Sequence, residues 1–198
     1  REHRVEVRPV DINHSFWDNT IELQIQGALA LRLGFRQAEG IHEAEAKRLV
    51  GARREGFASV EELSTRAQLY GRPMRALADA DAFRSIGLDR RAALWEVRRL
   101  PEDDPLPLFA SAAAPELGFE ADADLPEMGL GEHVATDYQT MRLSLKAHPM
   151  ELLRPFFQRE GVCSAAETAS RADGRFTRMA GLVLVRQRPG KGNAIFIT

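Results

Sequence analysis

The spacing of apolar residues across residues 33–54 predicts a helical segment, a tight break and a second helix. The break contains Gly40, which permits the positive φ that a tight turn needs. Beyond the break, Ala46, Leu49 and Val50 recur at the spacing of one helix face. The pattern is typical of a helix-hairpin-helix motif.

A second, degenerate copy of the same unit is predicted within residues 73–99. Its helices break around residues 81–83, and Asp89 is a suitable N-cap for a helix from Arg90 to Leu100. Two such units packed together would form a compact helical domain.

Helix boundaries are marked at three further places. Ser59 and Glu62 have the spacing of a capping box. Residues 131–161 predict a helical pair, in which His148 caps the second helix and Gly161 stops it.

Alternating apolar residues predict strands towards both ends of the chain. Within residues 1–30, two short strands flank a turn-rich loop. Their apolar positions are Val5, Val7, Val10, Ile21, Leu23 and Ile25. Residues 179–185 and 194–197 flank a basic, Gly-rich turn and could open a small barrel of the OB type.

These elements predict a mostly helical α+β chain. Its expected parts are strands at 1–30, a tandem helix-hairpin-helix domain at 31–100, an acidic Pro/Ala-rich linker at 101–130, and at 131–198 a helical lead-in with the first strands of a truncated OB domain. The chain starts at Arg1 and stops within a strand-like run at Thr198. We therefore expect a fragment of a larger protein.

The charge is distributed in blocks, although the 198 residues carry a formal net charge of only −2. Residues 31–100 hold fourteen Lys/Arg and ten Asp/Glu, whereas residues 101–137 hold ten Asp/Glu and no Lys/Arg. Residues 138–198 hold ten Lys/Arg and four Asp/Glu. Two basic blocks therefore flank an acidic one, which is compatible with nucleic-acid binding, although basic faces that are merely solvated would look the same.

Composition excludes several classes of protein. A hydrophobic fraction of 44% and a charged fraction of 28% favour a packed fold over disorder. The single cysteine, Cys163, cannot form an internal disulfide, and no Cys/His set has the spacing of a zinc site. No run is long enough to span a membrane, so we expect an intracellular, cytoplasmic protein without membrane contact.

The hairpin is the strongest candidate binding site. Its helix start points backbone N–H groups outward, where the helix dipole favours an anion such as a nucleic-acid phosphate. The candidate DNA-binding residues are Arg36, Gly40, Ile41, His42, Lys47, Arg53 and Arg54. Glu43 and Glu45 compete for the same amides, and a packing element without a ligand remains the alternative.

Other motifs carry weaker signals. Leu106, Leu108 and Phe109 form an apolar peptide in the acidic linker, which could dock in the groove of a partner protein or fold back on its own helices. His14 lies near Ser15 and Asp18, but their spacing favours loop capping over nucleophilic chemistry. No catalytic residue or metal ligand is assigned, and a stand-alone hydrolase is not supported.

The order of several short motifs resembles a known family. The series Val7–Ser15, Leu31–Phe35 with Gly40-Ile41, and Ala80–Phe83 with Gly87-Leu88 resembles the region after the catalytic core of bacterial C-family DNA polymerase III alpha-type subunits. Similarity to the error-prone, damage-inducible branch (the ImuC type) lies in the motifs Asp89–Trp95, Leu106–Phe109, Leu130–Val134, Leu143–Met150 and Ala180–Val183.

The resemblance implies a role for each part. Residues 1–30 would end the fingers domain, residues 31–100 would grip the primer-template duplex, and residues 131–198 would lead into the OB domain. The palm carboxylates that hold Mg²⁺ in this family have no counterpart here and would lie before Arg1, so this stretch is expected to lack cofactors and polymerase activity. The parent chain would extend primers past damaged bases.

Two departures from the family pattern concern partners. His42 stands where many family hairpins have a second glycine, so its side chain could crowd a phosphate or donate to it. Pro105 stands where the sliding-clamp-binding peptide begins with Gln. The resemblance implies a sliding clamp and accessory proteins of the ImuA and ImuB types as possible partners.

Overall fold

The computed structural model describes residues 5–23, 27–101 and 126–183. The chain divides into two compact units, residues 1–145 and residues 146–198. The first unit contains the strands β1 (Glu6–Arg8), β2 (Thr20–Leu23) and β3 (Leu29–Arg32) and the helices α1 (Glu43–Ala52), α2 (Val60–Ala67), α3 (Arg72–Asp79), α4 (Arg90–Arg99) and α5 (Leu130–Met141). The second contains α6 (Pro149–Arg159) and α7 (Ala165–Ala169). These units differ from the four predicted parts, because α5 lies in the same unit as the tandem helices.

The three strands form a small sheet in the order β1-β3-β2. β3 pairs parallel with β1 and antiparallel with β2. Within residues 1–30 the sequence pattern predicted only two strands. The predicted boundary between residues 30 and 31 falls inside β3. Leu, Ala and Arg are good helix formers, so the strand state of β3 comes from pairing on both edges and not from its own residues.

The charged side chains of the sheet lie on its less exposed face. Arg32 is 8% exposed, whereas Ile21 and Leu23 are 71% and 75% exposed. The carboxylate of Glu22 lies 2.8 Å from Nε of Arg32 and 2.7 Å from Nη1 of Arg8. Hydrogen bonds from these guanidinium groups, Arg32 first, lower the pKa of Glu22. The inner face is therefore held by an ion-pair cluster.

The helix predicted before the hairpin is only a short 3₁₀ turn, Phe35–Gln37. The amide of Phe35 donates to the carbonyl of Phe16 (2.8 Å), and the amide of Arg36 donates to that of Trp17 (3.1 Å). Because these amides bond to another segment, a helix cannot extend through them.

Residues 10–15 form a buried loop at the centre of the first unit. Ser15 is fully buried, and its hydroxyl donates to the carbonyl of Leu33 (2.7 Å). Asp11 accepts hydrogen bonds from the amides of Asn13 (2.8 Å) and Ser85 (3.1 Å). The predicted loop-capping role is therefore confirmed for Ser15, and Asp11 has the same role, whereas Asp18 pairs with Arg36.

The predicted helix caps are confirmed with one change. Ser59 accepts from the amide of Glu62 (3.0 Å), but the Glu62 carboxylate bonds the amide of Ala58 (2.7 Å), one residue before the expected position. Asp89 caps α4 by accepting from the amide of Ala92 (2.7 Å). Short-range capping rules thus fixed the starts of both helices.

A buried ion pair joins α5 to α4. The side chains of Arg90 and Asp137 are 0% and 1% exposed, and they form a direct hydrogen bond. Arg90 also donates to the carbonyl of His133 (3.1 Å), while Ser144 donates to the second oxygen of Asp137 (2.8 Å). The pair therefore fixes where α5 packs, although about thirty residues separate the two helices.

The second unit confirms the predicted cap and stop of α6. Nδ1 of His148 accepts from the amide of Met150 (3.2 Å), and the helix ends at Arg159, before Gly161. The expected OB strand from residue 179 is represented by a single bridge between Met179 and Cys163. Residues 184–198 lie outside the described residues, so the OB domain stays a prediction.

Replacing Gly34 with Ala should strongly destabilise the first unit. A Cβ at Gly34 would lie 2.3 Å from the carbonyl oxygen of Trp17 and 2.4 Å from the carbonyl carbon of Asp18. Because backbone must shift, we expect the free energy of unfolding to fall by at least about 3 kcal/mol, measured by urea denaturation. Gly51→Ala is the control, since it meets no atom within 4 Å in α1 and should stabilise by about 1 kcal/mol. Equal effects of the two changes would contradict this account.

Removing one member of the buried ion pair should cost about 3–5 kcal/mol, because the partner charge stays buried. We expect this loss for Asp137→Ala in equilibrium urea unfolding. The double change Arg90→Met with Asp137→Leu should restore most of the loss, since it removes both charges. A double variant as unstable as Asp137→Ala would show that packing, and not the uncompensated charge, dominates.

Candidate nucleic-acid interface

The candidate site is built from a hairpin turn that occurs twice, 47 residues apart. The first turn is Gly40-Ile41-His42 and the second is Gly87-Leu88-Asp89. In each, a 3₁₀ turn leads to a glycine with positive φ (+96° and +82°), then an apolar residue, an N-cap and a helix of ten residues. A helix ends before the break predicted around residues 81–83, since α3 stops at Asp79, and the second turn follows this break at residues 87–89.

The two turns differ in what surrounds their glycines. A Cβ at Gly40 would lie 3.1 Å from Cβ of Ala76 in α3, whereas one at Gly87 meets nothing within 4 Å. Ile41 is 8% exposed, so its side chain belongs to the core. Of the predicted hairpin residues, only His42 therefore offers an exposed side chain to a ligand.

A carboxylate of the chain itself occupies the first hairpin. The amide of His42 donates to Oε2 of Glu45 (2.7 Å), and Oε1 of Glu45 lies 3.4 Å from Nη2 of Arg72. The competition predicted from the acidic residues of this turn is thus present for Glu45. An external anion that uses the His42 amide must displace it.

The predicted cations around this hairpin are mostly paired. Arg36 lies 2.6 Å from Asp18 and Lys47 lies 2.7 Å from Glu43, and all four side chains are more than half exposed. Such pairs are weak in water and can exchange for a phosphate. Arg54 is exposed at φ +48° and forms no hydrogen bond or ion pair within the parts of the chain that the structure describes.

Arg53 has a structural role that the sequence pattern did not indicate. Its Nε donates to the carbonyl of Ile12 (2.9 Å), a second nitrogen donates to that of Ser15, and the guanidinium lies 5.4 Å from the ring centre of Phe16. Burial lowers its pKa. Contact of Arg53 with DNA stays a prediction, whereas its bonds tie the end of α1 to the buried loop.

Three arginines outside the predicted set lie on α3 and α4, and one of them contacts the first hairpin. Arg72 contacts Glu45, and Arg75 follows three residues later on α3. Arg75 and Arg98 line a cavity of about 70 Å³ together with Gly71, Val97, Leu100 and Pro101. The spacing of Arg72 and Arg75 on one helix face was the available signal in the sequence.

The first residues of α4, which follow the second hairpin, contact residues before and within α5. Arg91 donates to the carbonyl of Pro126 and to both carboxylate oxygens of Glu132, at 3.1 and 3.2 Å. Arg90, its neighbour, is fully buried against Asp137. The cations of the second hairpin are therefore engaged within the chain.

Two further findings concern residues 5–23, 27–101 and 126–183. No group of three or more His, Cys, Asp or Glu side chains is arranged to hold a metal ion there. None of the helices described is long and apolar enough to cross a membrane. The peptide Leu106, Leu108 and Phe109 lies outside these ranges, so its partner binding stays a prediction.

Known proteins match the chain over its whole length. Residues 4–93 match a family described as a helix-hairpin-helix motif. The chain is 50% identical to the error-prone DNA polymerase of Brucella abortus biovar 1 (strain 9-941) and covers 18% of that protein. It is 48% identical to the error-prone DNA polymerase of Rhodopseudomonas palustris (strain HaA2) and 46% identical to error-prone DNA polymerase 1 of Rhizobium meliloti (strain 1021), covering 19% and 20% of them. In each case all of this chain is aligned, so it spans about a fifth of the length of the curated relatives it matches.

Alanine at the two hairpin glycines should have unequal effects. Gly87→Ala meets only the strain of positive φ, about 1–2 kcal/mol. Gly40→Ala adds a 3.1 Å contact with Ala76, so we expect a larger loss in thermal unfolding and a shift of α1 against α3. In an Ala76→Gly background, and measured against Ala76→Gly alone, the loss caused by Gly40→Ala should fall to that of Gly87→Ala. No relief from Ala76→Gly would contradict this packing.

Proposed function

We propose that this chain is the part of an error-prone DNA polymerase that holds duplex DNA, with the Gly40 hairpin binding backbone phosphates. The proposal is supported by one observation above all. About 50% identity to error-prone DNA polymerases extends over the entire chain, including both hairpins. The chain would position DNA for a catalytic centre in the rest of the polypeptide.

Phosphate binding follows from the geometry of the helix start. The first amides of α1 have no acceptor within the helix, and its dipole favours an anion at this end. Glu45 now satisfies the His42 amide. A DNA phosphate would replace one carboxylate oxygen with another anionic oxygen, so binding depends on the surrounding cations and on the release of counterions. Backbone contacts of this kind carry no base specificity.

The finer assignments are part of the same proposal. We assign the parent chain to the damage-inducible ImuC type, in the bacterial cytoplasm, with Mg²⁺ held by palm carboxylates outside these residues. A sliding clamp and accessory proteins of the ImuA and ImuB types would be partners through Leu106, Leu108 and Phe109. No Mg²⁺ ligand is assigned among the described residues.

Duplex binding can be measured by fluorescence anisotropy with the 198-residue chain. We expect affinity to fall steeply between about 50 and 200 mM salt, with a log–log slope of about −0.9 for each neutralised phosphate. Binding that does not change with salt, or no binding, would reject the proposal.

Glu45→Gln tests whether the hairpin itself binds the phosphate. It removes the competing charge from the His42 amide and frees Arg72, so affinity should rise about three- to tenfold. Glu61→Gln is the matched control, because Glu61 is an exposed acid in the first turn of α2 and its loss changes the net charge equally. If both variants bind alike, long-range charge explains the gain and the hairpin is not the site.

A further inference from the structure

The two hairpins of the repeat differ in the cations that they offer to a ligand. The first has the exposed His42 and two exposed ion pairs, Lys47 with Glu43 and Arg142 with Glu39. At the second, Arg90 is 0% exposed against Asp137, and Arg91 bonds Glu132 and the carbonyl of Pro126. Releasing Arg90 from Asp137 would leave a buried charge without a partner, which is costly. A second phosphate contact that uses side-chain cations is therefore favoured elsewhere.

A basic surface continues from the first hairpin onto α3. Arg72 contacts Glu45 at 3.4 Å, and Ala76, one helical turn later, packs against Gly40. Arg75 lies between them in sequence and is exposed. The helix that carries these arginines is therefore fixed to the hairpin by direct contacts.

The surface ends in the cavity between α3 and the last turn of α4. Arg75 and Arg98 line this cavity of about 70 Å³. Its other lining residues, such as Gly71 and Pro101, carry no charge. The cavity therefore offers two guanidinium groups to one compact anion.

One carboxylate interacts with both arginines of this cavity. Asp79 interacts with Arg75, Arg90 and Arg98, and burial raises its pKa while these arginines oppose the shift. Arg90 is also paired with Asp137, so Arg75 and Arg98 share the single carboxylate of Asp79. The net positive charge that they leave favours an added anion at the exposed side, where both arginines lie.

We propose that a second backbone phosphate of the duplex binds between Arg75 and Arg98, so that DNA passes from the Gly40 hairpin over α3 to the end of α4 and does not contact the Gly87 hairpin. This inference rests on the proposed function. The two phosphate contacts come from one hairpin and one arginine-lined cavity. The second hairpin instead holds α5.

The test uses the 198-residue chain and the same duplex titrations. Arg75→Gln with Arg98→Gln should weaken binding about tenfold near 100 mM salt and reduce the magnitude of the salt slope by about one. Arg84→Gln with Arg91→Gln removes the same charge around the second hairpin, where these arginines pair with Asp81 and Glu132. This control should leave the slope unchanged. The reverse pattern would overturn the inference and assign the second contact to the Gly87 hairpin.

Two further outcomes separate this inference from its premises. If the wild type binds with a steep salt slope and the Arg75/Arg98 variant binds identically, only the second phosphate site is rejected. Thermal unfolding in inorganic phosphate, against chloride at equal ionic strength, shows whether the cavity takes a free anion. Stabilisation by phosphate that the variant loses, with DNA binding unchanged, would mean a small-anion site and would reject the duplex path. Loss of both supports the shared phosphate site.

Discussion

The first unit depends on satisfying the buried polar groups of residues 10–15. Ile12 donates its amide to Ala82, and Asn13 bonds both the amide and the carbonyl of Phe57. Arg53 closes the loop from the end of α1. A backbone group buried without a partner costs free energy comparable to a lost hydrogen bond, so these contacts must form together or not at all. The loop thereby fixes the end of the first hairpin unit against the start of the second. A short polar segment, and not the sheet, determines how the two hairpins face their surroundings.

The Arg90–Asp137 pair then makes the repeat asymmetric. The equivalent position of the first unit, 47 residues earlier, is Glu43, an exposed acid paired with Lys47. In the first hairpin unit, the start of α1 is therefore exposed. In the second, the start of α4 carries the buried Arg90, and α5 packs against it. Buried ion pairs add little net stability, because desolvation offsets attraction, but they tolerate only one arrangement. The pair thus specifies the position of α5 more than it strengthens the fold.

Local chemistry made part of this structure predictable. Caps at Ser59, Asp89 and His148 depend on residues two or three positions away, so their signals survive in the sequence. β3 and the role of Arg53 could not be predicted in this way. The strand needs two distant partners, and the acceptor of the Arg53 guanidinium is 41 residues away. The candidate site divides in the same way. The sequence indicated Gly40 as a turn residue and Glu45 as an acid in the first helical turn. The relevance of Arg72 on α3 depends on its contact with Glu45, which the sequence does not show.

The His42 amide already donates to Glu45 of the same chain, and this bond determines what a DNA phosphate can gain by binding there. When a phosphate displaces Glu45, the number of hydrogen bonds made by the His42 amide does not change, because this amide donates to Glu45 in the free chain and would donate to the phosphate in the complex. The net gain must come from releasing counterions and from the carboxylate moving towards Arg72, 3.4 Å away. Both terms are independent of base sequence. A contact of this kind can exchange one phosphate for the next at little cost, which suits the duplex-holding role proposed for this chain.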